Sequence, residues 1–175
     1  SIGIRCSPSR SRSFKMQIPF TLLLQSDYGE PCDCVLTALT ACISERIYKP
    51  PEVVYDCVEA VAKRYGYDGK RRGVYTVAIK PIWEEAFKRL TGLDRKVRYR
   101  FLKGLGWNFG AVAEQIMRGN PVVLSVGRAG KYKNHAVTVI GFDGSDFIIA
   151  DNWSRTPQRL AYSDIDIGAT INYMG

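Results

Sequence analysis

The hydrophobic pattern of the chain changes period near residue 120, and that switch limits the folds open to it. Before the switch, apolar residues recur at helical spacing: Cys34 to Arg46 carries them at 35, 36, 39, 42 and 43. "PPEVVYDCVEAVAKRYGY" opens on prolines suited to a first helical turn and ends near Gly66. "KPIWEEAFKRLTG" repeats that grammar, with Pro81 near its start and Gly92 past its end. "WNFGAVAEQIMRGN" predicts a fourth helix, stopped by Gly119-Asn120. After the switch come "PVVLSVG", "HAVTVIGF", "FIIADNW" and "TINYM", which are β-branched or aromatic and separated by turn residues. Asp143-Gly144 marks a hairpin between the second and third of these strands. Helices first and an antiparallel sheet second predict an α+β domain.

With 175 residues, 46% of them hydrophobic, the chain can bury one sizeable core. It has no apolar run near the roughly 18 residues of a membrane helix. Residues 1–15, "SIGIRCSPSRSRSFK", hold Arg5, Arg10, Arg12 and Lys15 with no acid, too little apolar surface to fold alone. They are expected to form a flexible basic tail ahead of a domain spanning 16–175. The net charge of +8 suggests an anionic partner or an acidic substrate. The basic runs at 70–72, 94–103 and 127–133 are expected to be solvated faces, and no nucleic-acid motif accompanies them. "GLGWNFG" is expected to pack a helix start rather than recognise a base.

There are five cysteines and one histidine, too few for a disulfide scaffold and poor in zinc ligands. A single bridge such as Cys32 to Cys57 is open on this reading. Cys42 and Cys57 fall within helical apolar patterns and are expected in the core, and Cys6 belongs to the tail. That leaves Cys32 and Cys34 as the chemical candidates. Asp33 is a good helix N-cap, which places Cys34 in the first turn, where unpaired N–H groups favour a thiolate. His135 opens a strand and can take a proton from a cysteine on a separate element. "ADNW" then brings a carboxylate and an amide to the end of the next strand, either of which can orient the imidazole. A two-residue turn at Gly144-Ser145 would put Asn152 on the face of His135, and a three-residue loop would put Asp151 there.

Taken in order, "QSDYGEPCDC" with "TAL" after it, "GNPVVLSVG", and "NHAVTVIGFDGSDFIIADNWS" resemble the papain-like cysteine peptidases. They are most similar to the double-glycine leader (bacteriocin-processing) peptidase group. The resemblance implies a papain-like fold, with a helical N-terminal half packed on a C-terminal antiparallel sheet. It implies Cys34 as nucleophile with Cys32 as the alternate, since "CVLTAL" fits the family pattern better than "CDCVLT". It further implies His135 as base, Asp151 as orienter with Asn152 as the alternate, and Gln25 as an oxyanion donor. Trp153 would shield the pair from water.

The function so implied is hydrolysis of a protein or peptide through a Cys-His-Asp triad and a thioester acyl-enzyme. That chemistry needs no metal or organic cofactor. The same triad serves amidases and acyltransferases. A binding module that kept the fold and lost activity is the reading from another class, because Val35 stands where the leader peptidases usually carry glycine.

Overall fold

The first long helix begins at Cys34, and its first turns are buried along their whole circumference. Every residue from Val35 to Ile43 is buried, so this helix lies between other elements rather than on the surface. In the computed structural model, which describes residues 14–104 and 107–175, it is α1 (Cys34–Ile47). α2 (Pro51–Lys63) and α3 (Thr76–Thr91) pack beside it, their apolar stripes meeting those of α1 in one core.

α3 starts five residues before Pro81, so that proline lies inside the helix rather than opening it. Pro81 cannot donate to the carbonyl of Val77, the residue one turn back. Val77 is 70% exposed, so water can take that carbonyl, and the helix passes through the proline.

The sheet is antiparallel throughout, its strands lying in the order Val97–Phe101, Thr170–Met174, Val122–Ala129, Tyr132–Asp143, Asp146–Ala150, Gln158–Ala161. The four predicted strands are β3 (Val122–Ala129), β4 (Tyr132–Asp143), β5 (Asp146–Ala150) and β7 (Thr170–Met174). Three short strands complete it: β1 (Lys15–Gln17), β2 (Val97–Phe101) and β6 (Gln158–Ala161). β2 comes from the basic run 94–103. Arg98 and Arg100 stay exposed while the backbone pairs with β7, so that run is both a solvated face and an edge strand.

α1, α2 and α3 cover one face of the sheet, packing on Val97, Val123, Ala136 and Met174. α4 (Phe109–Met117) covers the other, above Leu124, Val137, Val139 and Phe147. Asn108 caps α4 by accepting from the Ala111 N–H, and Trp107 and Phe109 pack on Tyr173 and Phe147, as expected of a helix start. Among the described residues, no helix is long and apolar enough to cross a membrane.

The segment 1–15 falls almost wholly outside the described residues. Its last two members do not: Phe14 packs on Phe142, and Lys15 pairs with Asp143. This seam depends on Gly141, because a Cβ there would press into the carbonyl oxygen of Met16 and the Cα of Gln17. Gly141→Ala should push β1 off the sheet at a cost of about 1–3 kcal/mol, as for overpacking elsewhere. Thermal unfolding of the variant checks this, with a fall of several degrees expected.

Candidate active site

The β4–β5 hairpin turns through two residues, Gly144 and Ser145, with Asp143 opposite Asp146. A regular ladder from that turn would bring Asn152 to the face of His135. The register instead shifts between Val139 and Gly141, where Ile140 is an extra residue on β4. The bulge reverses the alternation of everything beyond it. Thr138 consequently pairs with Ala150, and residues 151 and 153 arrive beside His135.

His135 is 5% exposed, and its Nε2 lies 2.7 Å from the main-chain carbonyl oxygen of Asp151. A carbonyl only accepts, so in the neutral ring Nε2 carries the hydrogen and Nδ1 is the free basic nitrogen. The Asp151 carboxylate is engaged elsewhere. It accepts from the Tyr132 hydroxyl at 2.8 Å, from the N–H groups of Trp153 and Ser154 at 3.0 and 2.9 Å, and from the Ser154 hydroxyl at 3.3 Å. Asp151 thus holds the ring through its backbone, while its side chain fixes the turn that supplies the carbonyl. The indole of Trp153 stacks on the imidazole at a centroid separation of 4.2 Å and is half exposed, so it roofs the ring rather than filling core.

Cys34 reaches this strand from the first turn of α1. The backbone N–H of Ala136 lies near its sulfur, and Cys34 and His135 line the same cleft of about 410 Å³. Asn152 makes the junction. Its Nδ2 donates to the carbonyls of Cys34 at 3.1 Å and Ala136 at 3.0 Å, so one side chain ties the helix start to the strand. Asn152 also adopts a left-handed φ of 66°, and its own carbonyl accepts from the Gln25 N–H. The residue before the histidine, Asn134, is left-handed too, with φ of 43°. Two strained non-glycine positions thus flank the pair.

Gln25 begins a short 3₁₀ turn (Gln25–Asp27). Its Oε1 accepts from Trp153 Nε1 at 2.9 Å. Because an indole nitrogen only donates, the amide nitrogen of Gln25 must face the other way. It approaches Asp33, at the head of α1. Asp33 sits at the N-cap position, but its carboxylate does not cap the helix. It is fully buried and accepts from the Tyr55 hydroxyl at 3.0 Å. Burial raises its pKa, against the Tyr55 bond and, less strongly, the Gln25 amide.

Cys32, the alternate nucleophile, turns away from the cleft, its thiol lying 3.6 Å from the Lys70 carbonyl. It forms no bridge with Cys57, whose sulfur lies 3.8 Å from the Ala86 carbonyl; the four described cysteines are free thiols. Cys42 is buried and Cys57 half-buried, as packing residues are.

Removal from water pushes the Cys34 thiol up, and the nearby Ala136 and Val35 N–H groups only partly offset this. Burial also pushes His135 down, against the carbonyl and the charge of Asp151. Both shifts favour neutral thiol and neutral imidazole in the free protein, although the helix start alone pointed to a thiolate. Iodoacetamide labelling of Cys34 should therefore be slow at pH 6 and rise without a plateau past the ordinary thiol pKa of about 8.5. Mass spectra of labelled peptides across pH 5 to 10 measure it. A plateau reached by pH 6 would show that the imidazolium outweighs burial.

The chain that carries these parts has counterparts among known proteins. A model of the Peptidase_C39 like family matches residues 33–169. The chain belongs to that family. Solved structures share the fold of this C39-like chain. One is described as a C39-like peptidase from Bacillus anthracis, 16% identical, with 93% of this chain and 98% of that one covered at a TM-score of 0.57. A second is a double-glycine motif protease from an AMS/PCAT transporter in complex with its leader peptide, at 18% identity and TM-score 0.53, covering 90% and 93%. The peptidase domain of Streptococcus ComA, a bifunctional ABC transporter involved in quorum sensing, aligns at 15% identity and TM-score 0.51, covering 89% and 98%. No curated protein matches the chain in sequence.

Proposed function

We propose that this C39-like protein is a cysteine peptidase in which Cys34 is the nucleophile and His135 the base. The observation that carries the reading is the imidazole fixed by the Asp151 carbonyl in the same cleft as Cys34. With Nε2 donating to that carbonyl, Nδ1 takes the thiol proton as the sulfur attacks the substrate carbonyl carbon. The oxyanion that forms is met by the Cys34 N–H, one of the unpaired donors at a helix start, and by the Gln25 amide. His135 then protonates the leaving amine, and the C–N bond breaks to leave a thioester on Cys34. Water, deprotonated by the same imidazole, attacks the thioester and frees the acid and the thiol.

The nearby charge of Asp151 favours the imidazolium through both steps. The triad in this reading is Cys34, His135 and Asp151, with Asp151 acting through its carbonyl and its field. The leader-peptide complex of the double-glycine protease supports a peptide as the substrate class. Residues 1–15 are proposed to be an appendage to the peptidase domain rather than part of its catalytic core.

The test is acyl-enzyme capture. The protein is mixed with an activated peptide ester, quenched in acid and weighed. The reading predicts an acyl mass increment that maps to Cys34 and decays with hydrolysis. An increment on Cys32, or none at all in folded protein, would refute it.

A further inference from the structure

The cleft that holds Cys34 and His135 is walled mainly by apolar groups, among them Val35, Val74, Val126 and Ala136. One carboxylate lines it, that of Asp166, and no lysine or arginine does. This is unexpected in a chain whose net charge is +8. Asp166 precedes β7, and its Oδ1 accepts from the N–H groups of Gly127 and Arg128, each at 3.1 Å. These bonds pin it to β3 immediately beyond Val126, the residue paired with His135.

Its Oδ2 has no hydrogen-bond or ion-pair partner among the described residues. Two glycines keep that oxygen uncrowded: a Cβ on Gly127 would sit 3.2 Å from it, and one on Gly168 3.3 Å. A half-buried carboxylate with one oxygen fixed and the other facing an apolar cleft is built to receive a cation.

We infer that Asp166 is a specificity-determining residue that pairs with a lysine or arginine side chain of the substrate close to the scissile bond. The inference rests on the peptidase reading above. A strand rises by about 3.3 Å per residue, so the anchor at Gly127 and Arg128 lies one to two residues along β3 from the His135 rung. An extended peptide in the cleft advances at the same pace. The basic residue therefore falls within two positions of the bond that is cut. The overall positive charge points to an acidic partner for the outer surface, whereas the cleft itself selects the opposite sign.

The experiment uses the full chain and quenched-fluorescent peptides. Lysine, norleucine or glutamate is placed in turn at each of the two positions on either side of the cleaved bond. Norleucine has the apolar stem of lysine without the charge, so the lysine-to-norleucine ratio of kcat/KM isolates the ion pair. At one of the four positions the wild type should prefer lysine by about tenfold and reject glutamate. Asp166→Asn keeps an oxygen for the two N–H groups, and should bring that ratio close to one. Cleavage with no lysine preference at any position would overturn the inference and leave the peptidase intact, as would a preference that survives in Asp166→Asn. No cleavage of any peptide, together with no acyl-enzyme from the activated ester, would overturn the peptidase reading and this inference with it.

Discussion

Cys34→Ala and His135→Ala should each reduce peptide hydrolysis to background, a loss of about 10⁴- to 10⁶-fold in kcat. The two losses should not add. A nucleophile and its base act as one unit, and removing either stops the same step. His135 is the only histidine, so no neighbouring imidazole can stand in for it. The structural cost should be small in the cysteine variant, because Cys34 is partly exposed and the clamp from Asn152 uses its backbone carbonyl. His135→Ala removes a buried ring that contacts Tyr132 and Trp153, so thermal unfolding must be measured beside the kinetics. His135→Gln is the better control, since it retains a polar group of similar reach. Single-turnover acylation across pH 5 to 9 completes the test. The wild type should stay active well below pH 6.5, because burial lowers His135 and the neutral base persists as pH falls. Acylation by His135→Ala at the wild-type rate would remove the base from the mechanism.

What the sequence disclosed about this site, and what it hid, follows from where the information is stored. Cys34 opens α1 and Asp151 follows β5 directly, and helix period and strand composition locate such ends well. His135, by contrast, is the fourth residue of β4, which begins at Tyr132 and not at the histidine as the apolar run suggests. The bulge at Ile140 is a different matter. It neither adds a turn residue nor breaks the apolar pattern, since Ile140 is as buried as its neighbours. Only Gly141 hints at it, a glycine inside a strand being a frequent partner of a bulge or of a close backbone approach. Here it serves the approach of β1. The same bulge decides whether 151 or 152 reaches the histidine, so a local irregularity sets a functional assignment.

β2 was hidden for another reason. Val97 to Phe101 alternates apolar and charged as a strand should, but the alternation lies inside the basic run 94–103, whose charge density points to a solvated face, although Val97 is buried on the helix side of the sheet. Pro81 misled because the sequence shows a missing donor but not that the orphaned carbonyl lies at the surface. Asp166 and Tyr132 carry no sequence signal at all. Their roles arise from β7 and β4 meeting β3 and the turn after β5.

Asn152→Gly is expected to be the most damaging substitution outside the nucleophile and base. The family resemblance makes Asp151 the orienter and Asn152 only its alternate. The hydrogen bonds favour the opposite ranking. Asp151 meets the imidazole with a backbone carbonyl that every residue possesses, so Asp151→Asn should keep measurable activity. Its losses should come from weaker support of the imidazolium and a looser turn at Trp153 and Ser154. Asn152 contributes a side chain that nothing replaces. Its amide nitrogen bridges the carbonyls of Cys34 and Ala136, and these bonds fix how far the sulfur stands from the strand that carries His135. Glycine is the informative replacement, because it accepts the left-handed backbone at 152 and so removes the clamp without adding φ strain. Misplacing reacting groups by about 1 Å costs about 10²-fold, and a loss of that order in kcat is expected for Asn152→Gly. Stability should fall as well, by about 1–3 kcal/mol for two buried carbonyls that lose a donor. Asn152→Ala should be worse in stability than Asn152→Gly, since alanine also pays for the positive φ. Asn152→Asp offers the sharpest contrast: it has the same shape, but acceptor oxygens face two carbonyls, so it should be at least as inactive as the glycine variant. Thermal unfolding and single-turnover acylation of the three variants, measured beside Asp151→Asn, decide the ranking. If Asn152→Gly acylates within a few-fold of wild type while Asp151→Asn fails, the carboxylate rather than the clamp organises the pair.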